Sequence, residues 1–375
     1  MLGQPNLNGS LYSQLNPGGI NGATLKNPYK IVQSGKRLFA VDTGNHRILI
    51  WNSLPASNQQ PADVVLGQVD MNATQFNSGG LSNHTLYTPY DLAVAGNRLI
   101  VADYYNHRVL IWNAIPIANY QAADLVLGQP DMHSNDPNSG GLSAKSLYYP
   151  TAVSSDGIRL FVADYGNNRI LVWNNFPSTF QQSADAILGQ PDFISNKPNN
   201  GGVSLQSISH PTSVLMSNDH LFVTEEDNHR VLIWNSVPAL TQKPADLVLG
   251  QSDITSRSPN VTGVNAHGLN SPSGVWFNGT QLFVSDQGNH RILVWQSLPE
   301  QNGQNADLVL GQPNMTSNSA NHADAISETS LWGPKGISGD TASGMLYIAD
   351  AQNNRIIRFN QNSTASANKT AYKSK

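Results

Sequence analysis

The sequence predicts an all-β fold made of six copies of one unit, on three observations. First, an asparagine recurs at 45, 106, 167, 228, 289 and 353, at spacings of 61, 61, 61, 61 and 64 residues. Each has an acid three residues before it (Asp42, Asp103, Asp164, Glu225, Asp286, Asp350) and an arginine two after it (Arg47, Arg108, Arg169, Arg230, Arg291, Arg355). Second, the flanks of each copy run in short β-branched and aromatic stretches that break at Gly, Asn and Pro, as in residues 160–190. Such a pattern reads as an antiparallel meander. Third, the two ends of the chain complement each other. Residues 2–5, Leu-Gly-Gln-Pro, match the ending of the unit at 127–130, 188–191 and 310–313, whereas the last copy, 334–359, has three strands and no such ending. A repeated sheet unit has two faces to bury and needs its neighbours on both sides. A ring meets that need, with the N-terminal strand pairing with the C-terminal strands so that no sheet edge is left. The expected architecture is a six-bladed β-propeller of four-stranded antiparallel blades over residues 1–360, followed by a flexible polar tail, 361–375.

Within each unit the first strand follows a proline, at 28, 89, 150, 211, 272 and 334. Three residues on stands an apolar side chain (Ile31, Leu92, Val153, Val214, Val275, Ile337) that should be buried between blades. The second strand is 38–41 and its counterparts, running into the acid of the turn. There the carboxylate and guanidinium should pair, with the asparagine accommodating a left-handed backbone. The third strand carries Trp51, Trp112, Trp173, Trp234 and Trp295, with Phe359 in the sixth copy. An aromatic at a repeat period is inter-blade packing. The fourth strand is 64–66 and its counterparts, and a linker of about 20 residues leads to the next unit. The linkers carry Asn-Ser-Gly-Gly-Leu at 77–81 and 138–142 and Asn-Asn-Gly-Gly-Val at 199–203, which points to ordered loops forming a second layer on one face.

Composition removes several function classes. There is no cysteine, so neither disulfides nor thiolate metal sites can form. Of 21 Lys and Arg, six are the repeat arginines and the others are scattered, which argues against nucleic acid. No apolar run is long enough to cross a bilayer. A surface rich in Asn, Gln, Ser and Thr with only 12% charged residues suits a protein working outside the cytoplasm, extracellular or periplasmic, although the sequence carries no leader.

The stretches Asp42-Thr-Gly-Asn45-His46-Arg47-Ile48 and Asp286-Gln-Gly-Asn289-His290-Arg291-Ile292 resemble the NHL repeat, and the resemblance extends over residues 2–360. The Ala-Asp-x-x-Leu-Gly-Gln ending looks like a bacterial branch with an enlarged unit. The resemblance implies a six-bladed propeller but no single function, because such propellers include a zinc-containing amidating lyase, RNA-binding domains and extracellular sensor domains. The lyase pattern implies zinc-binding histidines near the start of the innermost strands. The residues after the first-strand prolines are Tyr29, Tyr90, Thr151, Thr212, Ser273 and Lys335, and none is histidine.

His46, His107, His229 and His290 recur in the turn, but Asn168 and Asn354 replace them in the other copies, so they read as hydrogen-bonding groups of the turn. The remaining histidines show no metal-ligand spacing. No nucleophile elbow or phosphate loop is present. What remains are departures from the repeat. Two residues after the prolines stand Lys30, Asp91, Ala152, Ser213, Gly274 and Gly336, of which Lys30 and Asp91 are the large, charged exceptions. Trp276 and Trp332 are the tryptophans outside the third-strand set, and Glu225-Glu226-Asp227 places three acids at one turn. The candidate ligand-binding residues are Tyr29, Lys30, Tyr90, Asp91, His210, Trp332 and Lys335, gathered at the mouth of the axial channel. The expected function is non-catalytic binding of a protein, peptide or small polar ligand, without a cofactor, at the channel mouth or the loop-rich face. The alternative is a channel enzyme of the lyase or lactonase kind using a divalent cation such as calcium or zinc. A Lys30–Asp91 pair that satisfies itself would shift recognition toward the outer loops.

Overall fold

The computed structural model describes residues 1–5, 16–238, 241–323, 326–340 and 343–360. The tail expected at 361–375 lies outside the described residues. Six antiparallel sheets follow one another along the chain, and five of them have four strands in sequential order. Blade 1 comprises Lys30–Ser34, Arg37–Asp42, Arg47–Trp51 and Val64–Leu66. The first strands of blades 2 to 6 are Pro89–Ala95, Pro150–Ser155, Pro211–Ser217, Gly274–Phe277 and Pro334–Asp340. Each first strand packs against the first strands of the blades on either side, and that of blade 1 packs against that of blade 6, so the ring closes at its axis.

The core consists of apolar clusters between adjacent blades. Trp112 sits with Phe39, Val41 and Leu66 between blades 1 and 2, and Trp51 sits with Tyr347 and Ile356 between blades 1 and 6. The apolar residue three after each proline is buried in these clusters, from Ile31 at 0% exposure to Val153 at 3%. Trp276 is also packing, wedged with Phe283, Ile337 and Leu346 between blades 5 and 6. Each repeat tryptophan anchors its indole N–H on a carbonyl nine residues later, as Trp51 does on Gln60 at 2.9 Å.

The repeated turn is one buried knot. In blade 2 the Arg108 Nε donates to Asp103 Oδ2 at 2.8 Å, and its remaining N–H groups reach the carbonyls of Met132, Ser82 and Thr85. The guanidinium therefore ties the turn to the linker before the blade and to the linker after it. The turn asparagine exchanges two amide hydrogen bonds with the first asparagine of the linker, Asn77 with Asn106 at 2.9 Å each way. That pairing explains why the Asn-x-Gly-Gly segments are ordered.

Two expectations change. The left-handed residue of the turn is the one after the asparagine: His46, His107, Asn168, His229, His290 and Asn354 have φ between 49° and 56°. The asparagine itself is needed as a two-way hydrogen-bonding amide, which commits its side chain. The second change concerns closure. The sixth sheet has three strands, and the N-terminal pairing is a single bridge, in which Leu2 and Ile356 exchange two backbone hydrogen bonds at 3.0 and 3.1 Å. Leu2 is followed by Gly3, which turns away at φ 90° to bridge Thr24.

Candidate functional site

The start of every first strand is held at the same height by its neighbour. The residue before each proline has positive φ, and its N–H donates to the side chain of the left-handed turn residue of the preceding blade. Thr88 donates to His46 Nδ1 at 3.1 Å, Tyr149 to His107 at 3.2 Å, Ser271 to His229 at 2.9 Å and Gly333 to His290 at 3.2 Å. His210 donates to Asn168 Oδ1 at 2.9 Å, and Asn27 to Asn354 Oδ1 at 2.7 Å. Histidine and asparagine are interchangeable here because both present an acceptor at the same place. Burial lowers the His46 and His107 rings to about 4, which keeps that acceptor neutral.

This levelling brings the residues after the prolines into one ring around a cavity of about 300 Å³. The ring is lopsided. In blades 3, 4 and 5 it carries Thr151, Thr212 and Ser273, whose hydroxyls donate to the carbonyls of Pro211, Pro272 and Pro334 at 2.7, 2.7 and 3.0 Å. These side chains are small and engaged with the next blade, so they leave space. In blades 6, 1 and 2 the same position carries Lys335, Tyr29 and Tyr90, which wall the space on the other side. Tyr29 meets Tyr90 edge-on at 4.6 Å, and Tyr90 stacks on Tyr104 at 4.0 Å, so the tyrosines hold one another upright. One residue further along the strands, Gly274 and Gly336 are required by close packing, since a Cβ on Gly336 would stand 2.5 Å from the Tyr29 carbonyl oxygen.

Two kinds of charge face the cavity. Lys30 and Asp91 pair at 3.5 Å, and Asp91 Oδ2 also accepts the Val153 N–H at 3.0 Å. This pair links blades 1, 2 and 3 and is largely occupied with itself. Lys335 and Glu226 are different. The Lys335 ammonium lies 4.8 Å from the centre of the Tyr29 ring and has no carboxylate within ion-pair distance among the described residues. Burial lowers it to about 8, with the Glu226 carboxylate pulling in the other direction. Glu226, from the turn of blade 4, accepts the Tyr165 hydroxyl on Oε2 at 3.0 Å. Lys335 and Glu226 therefore sense each other across the cavity without touching.

Of the residues singled out in the sequence, the structure brings Tyr29, Lys30, Tyr90, Asp91 and Lys335 to the cavity. His210 stands behind that lining, its ring 4.6 Å from Tyr165 and its Nδ1 2.5 Å from Asp227 Oδ2. Trp332 also lies outside the lining; its backbone N–H donates to Asp350 at 2.8 Å and fastens the blade 6 turn. Tyr104, Tyr165 and Glu226 were not among the candidates, yet all three line the cavity. They occupy one position, directly after the turn acid, where the other copies have Thr43, Gln287 and Ala351. Variation at that position, inside an otherwise constant motif, was the signal.

The facing groups do not fit a divalent cation. Glu226 is the one lining carboxylate that is not already ion-paired, and the Lys335 ammonium lines the same cavity. Among the described residues no cluster of three His, Asp or Glu side chains is placed to hold a metal. No histidine lines the cavity, and no helix among the described residues is long and apolar enough to cross a membrane.

The NHL repeat family profile matches residues 86–112, from the end of the linker before blade 2 to the tryptophan of that blade. No curated protein sequence matches the chain. Among solved structures, an auxiliary nutrient binding protein from Bacteroides ovatus ATCC 8483 is similar over 95% of this chain and 74% of its own, at 12% identity and a TM-score of 0.54. Another from Bacteroides thetaiotaomicron VPI-5482 is similar over 89% and 69%, at 12% identity and a TM-score of 0.52. At these identities the likeness is one of fold. With the same acid–asparagine–arginine knot in all six blades, the chain is a six-bladed β-propeller, and its second blade matches the NHL repeat.

Proposed function

We propose that this propeller is a non-catalytic binding protein that takes a small polar ligand in its axial cavity. The observation that carries the reading is the lopsided ring. Three blades contribute small side chains whose hydroxyls are already committed, and three contribute a wall of tyrosines and an ammonium without an ion partner. Concave space lined by a few convergent polar groups is the usual form of a small-molecule site. The lining favours binding over catalysis: no histidine lines it, and the hydroxyl that meets a carboxylate, Tyr165 on Glu226, is a phenol whose ionisation burial disfavours. The Lys30–Asp91 pair does not remove the site, because the space lies beside it and the uncommitted charges belong to other blades. A surface rich in Asn, Gln, Ser and Thr with few charges favours work outside the cytoplasm.

The test is a thermal-shift screen of polar metabolites against three proteins: wild type, Thr212→Tyr and Lys145→Ala. Tyrosine already occupies the Thr212 position in blades 1 and 2, so the first substitution fills the cavity with a side chain the ring accommodates elsewhere. Lys145 is exposed on an outer linker. A ligand at about 100 times its Kd stabilises by roughly 2.7 kcal/mol. That stabilisation should vanish in Thr212→Tyr and persist in Lys145→Ala. Ligands that keep their effect in Thr212→Tyr and lose it in Lys145→Ala would move the site to the loop face.

A further inference from the structure

Lys335 and Glu226 specify more than polarity, and the inference that follows rests on the ligand-binding reading above. An ammonium at the wall of a narrow channel keeps its N–H donors turned to whatever occupies the space. The Lys335 ammonium lies over the face of Tyr29, and the described carboxylates all lie beyond ion-pair distance. A ring face offsets part of the lost hydration of a cation but accepts no directed hydrogen bond. Two blades away, in blade 4, Glu226 uses one oxygen for the Tyr165 hydroxyl, and among the described residues its other oxygen accepts no side-chain hydrogen bond. Glu226 replaces residues that are neutral in every other blade: Thr43, Tyr104, Tyr165, Gln287 and Ala351. Lys335 likewise is the only charge in its ring, among Tyr29, Tyr90, Thr151, Thr212 and Ser273. Both departures from the repeat face one cavity, carry opposite charge and do not meet.

We infer that the cavity recognises a small zwitterion of the amino-acid class, its carboxylate on Lys335 and its ammonium on Glu226. A ligand carrying both charges satisfies both walls at once, whereas an anion alone leaves Glu226 facing it and a cation alone meets Lys335. Wherever a charged group is desolvated, a ligand lacking its partner charge leaves a buried group unpaired, and that penalty gives such sites their discrimination. The stacked tyrosines Tyr90 and Tyr104 supply an apolar flank for the remainder of the molecule.

Calorimetric titration of the full chain at neutral pH with the standard free L-amino acids tests this. Each that binds is compared with its N-acetyl derivative, which lacks the ammonium, and its amide, which lacks the carboxylate; D-glucose serves as a neutral probe. Both derivatives should bind at least about tenfold more weakly than the free amino acid. In Lys335→Met the free acid and the amide should bind alike, and in Glu226→Gln the free acid and the N-acetyl derivative should bind alike. The wild-type series decides the matter even if a variant folds poorly. Equal binding of the free, acetylated and amidated forms overturns the inference, as does failure of every amino acid to bind at millimolar concentration. If glucose or another neutral compound binds instead and is lost in Thr212→Tyr, the zwitterion falls while the axial site stands.

Discussion

At the scale of single residues, the turn motif was legible because its members do one job in every blade. Arg108 and Asp103 are both wholly buried, and the arginine also feeds three linker carbonyls. Removing one partner of such a pair strands the other in low dielectric and costs about 3–5 kcal/mol. Arg108→Ala should therefore lose that much in urea denaturation, while His107→Asn should stay within about 1 kcal/mol, since Asn168 and Asn354 already fill the same role. An equal loss for the two would refute the acceptor role of the ring. The histidines also set a pH dependence. His46 and His107 are lowered from 6.5 to about 4 by burial, with the Lys26 charge adding to the effect at His46 and the Asp136 charge opposing it at His107. His229 and His290 are lowered as well. Below 6.5 the unfolded chain takes up protons that the folded rings refuse, so stability present above that pH is lost as pH falls toward 4. Each unit of such a gap corresponds to about 1.4 kcal/mol. Melting temperature measured from pH 7 to pH 5 should fall in wild type and fall less steeply in the fourfold His→Asn protein at 46, 107, 229 and 290. Identical slopes would show that the rings titrate freely in the fold. Single-residue reasoning failed where a residue's role depends on which blade it occupies. Comparison of the six copies separates Glu226 from the repeat acid Glu225, but that its position faces the cavity is a property of the ring.

Among elements, the strands followed from β-branched runs and prolines, and the order of the linkers from their repeated Asn-x-Gly-Gly signature, whereas the contacts that fix them were not legible. The linkers are long but fixed, because each is tied to the turn by the reciprocal asparagine pair and to the repeat arginine. A second tie is the glycine after each fourth strand. Gly128 bridges Ser146 of the next linker with φ 89°, and a Cβ there would stand 2.7 Å from the His107 carbonyl oxygen and 2.7 Å from Leu147 Cδ1. Gly140, within the Asn-Ser-Gly-Gly segment, also has positive φ (77°) but open space around it. Left-handed backbone costs an alanine roughly 1–2 kcal/mol. Gly140→Ala should lose about that and no more, whereas Gly128→Ala adds a collision with backbone and should lose at least about 3 kcal/mol. Denaturant midpoints at constant m-value separate the two, and equal losses would mean that the bridge at Gly128 is not a point of close packing. The sequence showed glycine at both places; only the neighbouring blade distinguishes them.

At the scale of the whole molecule the count of blades was readable from period alone, but the manner of closure was not, since it depends on contacts between the two ends of the chain. The ring is held at its axis without the N-terminal segment. Gly336 donates to the Tyr29 carbonyl at 2.8 Å, and Asn27 donates to Asn354 just as the other blades link to one another. The N-terminal residues act at the rim, where Leu2 is 5% exposed between blades 1 and 6 and exchanges two hydrogen bonds with Ile356. Deleting residues 1–5 should thus leave a folded ring but remove one buried leucine and the bridge, a loss of roughly 3–5 kcal/mol. The third strand of blade 6, Arg355–Asn360, would then present unpaired backbone groups along its edge and pair with another copy. The expected result is a lower melting temperature together with association that grows with protein concentration in sedimentation velocity. Asn354→Ala tests the axis separately. It removes the acceptor for Asn27 and should lower the melting temperature without promoting association, because the bridge at Leu2 remains. If the deleted protein stays monomeric at an unchanged melting temperature, the N-terminal bridge contributes nothing to closure and the ring depends on its axis alone.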